Sequence, residues 1–537
     1  MKAKILTLAV LLSCGAAMAQ TEYDALKLGQ TDIVGTARYM GMAGAFGALG
    51  ADPSAVRDNP AGLGVYRKSE LTGTMSMLLQ DAVGTWGNVN MKSDMYNLGF
   101  NNFALTLAVP SWRGETGVEG GLITSNFSFS YNKLRDFNRV ARIKGSKDYN
   151  SLTNYIATNT RGLTGYDLIA VNNANEKYDP YFADKIIPWQ SLLAFNGYLI
   201  NETSANSGIW TSALNETAYY NSNTNVAPSY LLREQGAIQE YAFSWGGNFS
   251  NKFFLGASLN LRSLNYQMDA KYSEEFPLGS DGEFGGSMDL SNSIKSKGAG
   301  VNFNIGAIFI PVDFIRLGFA VHTPTIYSIK DSYFSSLEYE VNTDINATNQ
   351  IVYQKGKTST PDASLDYQLQ SPLKLNASAA VIVGQQGLIS AEYELANYSG
   401  MKLANDQGDI TVYNDENDRI GANLNNVRTI KIGGEYRLTE NFSLRAGFAN
   451  MSSATGLEVT KTLNNERYRA DNELLRHNRT DYFSLGLGYR EANWYIDFAY
   501  FNKKIDETFV AFNDISPKTA SLITNNNNIV VTLGVRF

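Results

Sequence analysis

The C-terminal stretch constrains the chain most. Ile529, Val531, Leu533, Val535 and Phe537 fall on one side of a period-two pattern, and Asn528, Thr532, Gly534 and Arg536 fall on the other. Successive side chains of a β-strand point to opposite faces, so the pattern describes a strand with one apolar and one polar face. It recurs at Phe253, Leu255, Ala257, Leu259 and Leu261 against Gly256, Ser258, Asn260 and Arg262. It recurs again at Trp494, Ile496, Phe498 and Tyr500 against Tyr495, Asp497 and Ala499. A soluble sandwich with one wet face carries such strands, and so does a membrane barrel with its apolar face to lipid.

Three features favour the barrel. The first is the number of these segments. The second is Met1 to Ala19, which reads as a secretion signal with Lys2 and Lys4 at its charged end. Its apolar run is Ile5 to Leu12, and its cleavage site is Ala17-Met18-Ala19, so the mature chain starts at Gln20. A rival reading takes Leu11-Leu12-Ser13-Cys14 as a lipoprotein signal with Cys14 lipidated. Cys14 is the single cysteine of the sequence, so cleavage after Ala19 leaves neither disulfides nor thiol chemistry. The third is the terminal Phe537, since a last strand ending in phenylalanine resembles the assembly signal of outer-membrane barrels. After the signal no apolar run is long enough for a membrane helix. A membrane protein of this kind must satisfy its backbone between strands, as a closed barrel does.

Counting gives about fourteen strands, an even number as bacterial barrels require. The expected spans are 69–80, 96–109, 121–134, 237–250, 252–268, 298–310, 313–328, 371–383, 387–398, 426–438, 441–451, 480–490, 493–503 and 528–537. Short links at Pro110 to Gly120, Asn251, Pro311 to Asp313, Gly384 to Gly387, Thr439 to Asn441 and Glu491 to Asn493 alternate with longer ones. Short turns belong to the periplasm and long loops to the outside, which puts both barrel termini in the periplasm. The domain division expected is a signal over 1–19, an N-terminal plug over 20–68 and a barrel over 69–537. Its largest external loop covers 135–236.

Val34 to Leu63 is unlike the rest. Glycine recurs at Gly35, Gly41, Gly44, Gly47 and Gly50 with alanine between, which suits close backbone packing. Asp52-Pro53 reads as a helix N-cap followed by proline at the first helical position. Asn59-Pro60 starts a turn through Gly62. Arg38, Asp52, Arg57 and Asp58 interrupt any reading as a small-residue membrane helix. No lysine-serine or lysine-threonine pair closes the stretch as a phosphate loop needs.

This stretch resembles the N-terminal plug, or hatch, of the FadL/OmpP1/TodX family of outer-membrane transport proteins. The likeness lies in ARYMGMAGAFGALGADPSAV (Ala37 to Val56) and NPAGL (Asn59 to Leu63), and it departs at Arg57-Asp58. It implies an all-β transmembrane antiparallel barrel of fourteen strands with the plug inside its lumen. It also implies passive transport of hydrophobic molecules, long-chain fatty acids or other apolar compounds, captured by external loops and passed without a cofactor. Expected partners are those ligands, outer-membrane lipid and, through the Phe537 strand, the barrel-assembly machinery. Relatives that do not transport supply the alternative, a barrel acting as scaffold, surface antigen or secretion-associated partner.

The interior follows from alternation. Arg262, Arg316, Lys374, Glu392, Glu394, Lys431, Glu435, Arg437, Arg445 and Asp497 fall on the lumen face. Arg316 and Arg445 follow periplasmic turns, so they should meet the plug, which carries Arg38, Asp52, Arg57 and Asp58; the residues that mark the plug are Arg38, Asp52, Asn59 and Pro60. Lys374 and Arg262 sit high, where they would hold an anionic ligand head. In the longest loop Ile186, Ile187, Trp189, Leu192, Leu193 and Phe195 form an apolar cluster on a short helix. It is either loop core or a greasy groove in which Ile186, Trp189, Leu192 and Phe195 capture ligand.

Nothing in the sequence points to an enzyme or to nucleic acid. There are 2 histidines in 537 residues, His322 and His477, in no metal-ligand spacing. No G-x-S-x-G elbow occurs. A net charge of -7 gives no reason to expect a phosphate backbone as partner.

Overall fold

The computed structural model describes residues 20–111, 120–146, 150–173, 177–215, 225–278, 283–345, 351–456, 461, 467–513 and 519–537. The expected signal, with Cys14, lies outside these residues.

Fourteen antiparallel strands form one closed wall. They are β1 (Glu70–Trp86), β2 (Val89–Leu107), β3 (Leu122–Asp136), β4 (Ala227–Phe249), β5 (Phe253–Leu278), β6 (Glu283–Val312), β7 (Ile315–His322 continued by Ile326–Ile345), β8 (Ala363–Gln370 continued by Lys374–Val383), β9 (Gly387–Asn397), β10 (Asn426–Arg437), β11 (Phe442–Met451), β12 (Leu474–Arg490), β13 (Trp494–Val510) and β14 (Thr519–Arg536). The wall closes where β14 pairs with β1, from Glu70 opposite Arg536 to Thr85 opposite Ser521. Closure removes every sheet edge along that seam. The end of the barrel holding Glu70 and Arg536 is termed lower.

The expected faces hold in the lower wall. Leu255, Leu259 and Leu261 are exposed on the outside, while Ser258 and Asn260 are buried inside. Ile529, Leu533 and Val535 face out, and Thr532 faces in. Higher up the polarity inverts on the same strands. On β5 the outward positions become Asp269, Lys271 and Ser273, and the inward ones Ala270, Tyr272 and Phe276. On β6 Lys295 and Lys297 face out, and Met288, Leu290 and Ile294 face in. There the wall turns polar side chains outward and wraps a second apolar core.

This inversion is why the strands run beyond their expected upper limits. Two stretches expected as loops, between β1 and β2 and between β5 and β6, are strand continuations. The first closes in a tight turn with Gly87 at φ 58. The lower turn at Ser250 and Asn251, both at φ 55, is short, while most of the link expected at Pro110 to Gly120 lies outside the described residues.

Above the lumen, the chain between β3 and β4 folds over the barrel. It contains α4 (Leu152–Asn159), α5 (Gly165–Leu168) and α6 (Trp189–Asn196). The N-terminal segment lies inside the wall as α1 (Glu22–Gly29), α2 (Ala37–Gly41), α3 (Ala55–Asp58) and a 3-10 turn over Pro60–Val65. Thr21 caps α1 in a capping box with Asp24. Asp52 does not begin a helix as expected, because α3 starts later, at Ala55. Its carboxylate instead accepts from the N–H of Ser54 at 2.9 Å and the hydroxyl of Thr36 at 2.8 Å. Asn59 is extended, as a residue before proline should be, and its side chain accepts from the N–H of Ala61 at 3.1 Å.

Candidate functional site

The plug meets the wall through backbone first. A side chain at Gly447 of β11 would overlap the backbone of Met42, and one at Gly256 of β5 would overlap that of Pro60. Glycine in a strand marks such close approach. Around these seats Tyr39, Met40, Met42, Phe46 and Ala48 pack against Ala380, Ala449, Tyr482, Phe501 and Val530 of the wall. Small inward hydroxyls accept from plug N–H groups. Ala37 donates to Thr532 at 2.7 Å and Ala43 to Ser484 at 3.1 Å.

Charged residues lock the same interface. Arg38 donates to Glu435, which also receives Arg445 at 2.6 Å, and Arg445 reaches Asp497 at 2.6 Å. Arg316 donates to the carbonyl of Leu49 at 3.0 Å. Glu392 accepts from the N–H of Gly47 at 2.8 Å and from Lys431 at 2.7 Å. Lys431 and Asp58 lie 3.4 Å apart. Burial alone would push the Asp58 carboxyl up, but the ammonium of Lys431 and the guanidinium of Arg57 hold it well below the usual carboxylate range. Asp52 is pushed up by burial to about 6, against the pull of Arg38. Asn59 donates to the carbonyl of Gly47 at 2.7 Å. The low cations Arg316 and Arg445 thus sit at the plug, where their strand positions put them.

Lys374 and Arg262 are also engaged. Lys374 donates to the hydroxyl of Thr31 in the plug at 2.6 Å and lies 3.6 Å from Glu394. Arg262 lies 2.9 Å from Glu240 and donates to Thr325 at 2.6 Å. Both line one cavity of about 50 Å³ with Arg57, Asp58, His322 and Lys431, room for one or two waters. The apolar loop cluster is elsewhere. Trp189 and Leu192 are buried in the upper core, Phe195 is half-buried against it, and Ile186 is exposed. Trp189 packs edge-on to Tyr181 and Tyr468, and Phe195 to Trp210.

A larger cavity of about 140 Å³ lies between α1 and the upper wall. Ion pairs line it. Lys27 meets Glu234, Arg139 meets Glu507 at 2.6 Å, and Lys503 meets Asp32 at 2.6 Å. Arg469 joins Asp24 of the plug at 2.7 Å to Asp471 at 2.6 Å, and Lys461 also meets Asp471. The clasp on α1 through Arg469 was not foreseen from sequence, because its residues lie far apart on stretches without strand alternation.

The wall is split between β2 and β3. β2 pairs with β3 only from Asn102 opposite Asn132 to Leu107 opposite Phe127. Asn101 is a bulge against β1, between the pairs Thr74 with Asn102 and Met75 with Phe100. Above it, among the described residues, β2 pairs with β1 alone. Tyr96, Leu98 and Phe100 stand exposed there. On the other side of the split, the carbonyl of Leu134 on β3 accepts from the N–H of Asp32 in the plug at 2.8 Å.

No family model and no curated protein matches the sequence. Solved structures do match over nearly the whole chain. A FadL homologue of Pseudomonas aeruginosa is 13% identical, with 95% of this chain and 100% of that one covered and a TM-score of 0.52. The toluene transporter TodX of P. putida is 12% identical, covering 95% and 99%, at a TM-score of 0.49. The toluene transporter TbuX of Ralstonia pickettii is 13% identical, covering 95% and 100%, at a TM-score of 0.41. A closed wall of fourteen strands, an N-terminal segment seated inside it and the full-length match to the FadL homologue give this chain the fold of the FadL/OmpP1/TodX outer-membrane proteins.

Proposed function

We propose that the protein is an outer-membrane channel through which small hydrophobic molecules pass passively, its lower end and both barrel termini facing the periplasm. The split between β2 and β3 carries this reading. An apolar molecule arriving in the upper lumen needs an exit that avoids water, and the unpaired stretch of β2 at exposed Tyr96, Leu98 and Phe100, with Lys133 against Gly99, is where the wall would part towards lipid. The plug borders that gap through Asp32, so a shift of the plug would open it. No chemistry is assigned, and the plugged lumen serves passage rather than catalysis.

The ligand class is apolar compounds, fatty acids among them. Capture by Ile186, Trp189, Leu192 and Phe195 needs the upper core to open, because two of the four are buried in it. A carboxylate head at Lys374 and Arg262 would have to displace Thr31, Glu394 and Glu240 from them. This favours ligands without a negative charge. A second reading, a non-transporting scaffold, draws support from the small, ion-paired cavities.

Liposomes containing the protein test both. Uptake of toluene and of methyl dodecanoate should exceed that of empty liposomes. Gly99→Trp should slow it, since Gly99 lies on β2 against Lys133 at the split. Dodecanoate should gain nothing over its ester, and Lys374→Met with Arg262→Met should not change that ranking. No uptake above empty liposomes would favour the scaffold.

A further inference from the structure

We infer that the cavity between α1 and the upper wall is a binding site for a small organic ammonium group, with Glu473 as its counter-ion. The carboxylates named around this cavity have a cation against them, and Asp136, which also lines it, meets Lys133 at 3.0 Å. Glu473 is the exception. It lines the cavity, is 8% exposed, and neither carboxylate oxygen has a hydrogen-bond partner beyond the residue's own backbone N–H. A buried carboxylate without a partner is costly, so an occupant that supplies positive charge and N–H donors is favoured there.

The rest of the lining fits the same occupant. The hydroxyl of Tyr23 is buried in the lining beside Glu22 and can accept a second N–H. Leu26, Met268, Ile294 and Leu475 would cover a short alkyl stem. About 140 Å³ is several times the volume of a water and suits a head group with a few carbons. A hydrated divalent ion fits poorly, since no group of three or more acidic, histidine or cysteine ligands occurs among the described residues. Burial and the nearby Asp471 push the Glu473 carboxyl up to about 8 against the weaker pull of Lys461 and Arg469, both committed to Asp471, which makes a proton the natural competitor for the site.

Binding to the closed protein does not require transport, so this inference and the channel reading fail separately. The test is calorimetric titration of the detergent-folded full chain with butylammonium, butyrate and butanol at pH 8.5. Butylammonium should bind at least tenfold more tightly than the other two. Glu473→Gln should remove that preference, and Glu473→Asp should keep it. Heat-resistant migration in gels confirms that each variant is folded. Equal binding of all three probes, an unchanged preference in Glu473→Gln, or proton uptake by Glu473 without any ammonium binding would each overturn the inference. If Glu473→Gln does not fold, loss of preference in the wild type below pH 7 stands in for it, and a preference independent of pH is contrary.

Discussion

Arg38 of the plug and Glu435 of the wall form a two-pronged ion pair, Nε to Oε2 at 2.9 Å and Nη2 to Oε1 at 3.3 Å. The two partners are unequal. Glu435 also holds Arg445, whereas Arg38 has one carboxylate only and a backbone carbonyl, that of Ala51 at 3.2 Å. Arg38→Met therefore leaves Glu435 paired, while Glu435→Gln leaves Arg38 without a carboxylate and Arg445 with Asp497 alone. Breaking a buried pair costs about 3–5 kcal/mol where the remaining charge is stranded. Urea unfolding in detergent should show Glu435→Gln as the more damaging change by at least about 1 kcal/mol. Equal losses would mean that the pair is not what seats the plug.

Gly447 and Gly256 admit the plug backbone, so bulk there should unseat it. Gly447→Val and Gly256→Leu leave the outward face of the wall unchanged. Both variants should stay heat-resistant in gels yet lose protection of the 31–63 segment in hydrogen exchange. Full protection would show that the wall accommodates a side chain at these seats.

Asp52 makes the seating depend on pH. Its folded pKa of about 6 exceeds the ordinary value of 3.8, so the native state holds the proton more tightly than the unfolded chain. The resulting stability is complete below about pH 4 and is lost as pH rises through about 6, a change of about 3 kcal/mol. Asp58 acts in the opposite sense and at lower pH, since its carboxyl is held down and its contribution is lost only below the ordinary range. Asp52→Asn keeps an oxygen for Ser54 and cannot titrate. The stability of the variant relative to the wild type should rise between pH 4 and pH 7. A difference independent of pH would contradict the assignment.

The upper cluster separates into core and surface. Trp189→Ala should destabilise the upper domain by about 3–5 kcal/mol, as large buried side chains do. Ile186→Ser should change it by no more than about 0.5 kcal/mol. Local unfolding followed by tryptophan fluorescence and hydrogen exchange distinguishes the two. If both were mild, the cluster would be an open groove.

The lower half of this barrel was legible because lipid and lumen impose opposite polarity on alternate residues. Arg316 and Arg445 could be placed at the plug for the same reason. The upper wall was harder to read, because beyond about Ser263 the apolar side of β5 turns inward while the strand itself continues. Lys374 and Arg262 were readable as inward-facing cations, but alternation carries no information about what neutralises them. Thr31 comes from a plug segment, and Glu240 stands directly opposite Arg262 across the hairpin that turns at Asn251, a matter of register rather than alternation. The split between β2 and β3 leaves no periodic mark, since an unpaired strand keeps its alternation.

The central claim is that the N-terminal segment closes the barrel, and single-channel conductance in a planar bilayer tests it most directly. Deleting Thr31 to Leu63 removes the backbone seated at Gly256 and Gly447 and the Arg38–Glu435 pair, but no wall strand. The folded deletion should pass a steady ionic current where the full chain passes little or none. A correctly folded deletion whose conductance equals that of the full chain would contradict the account.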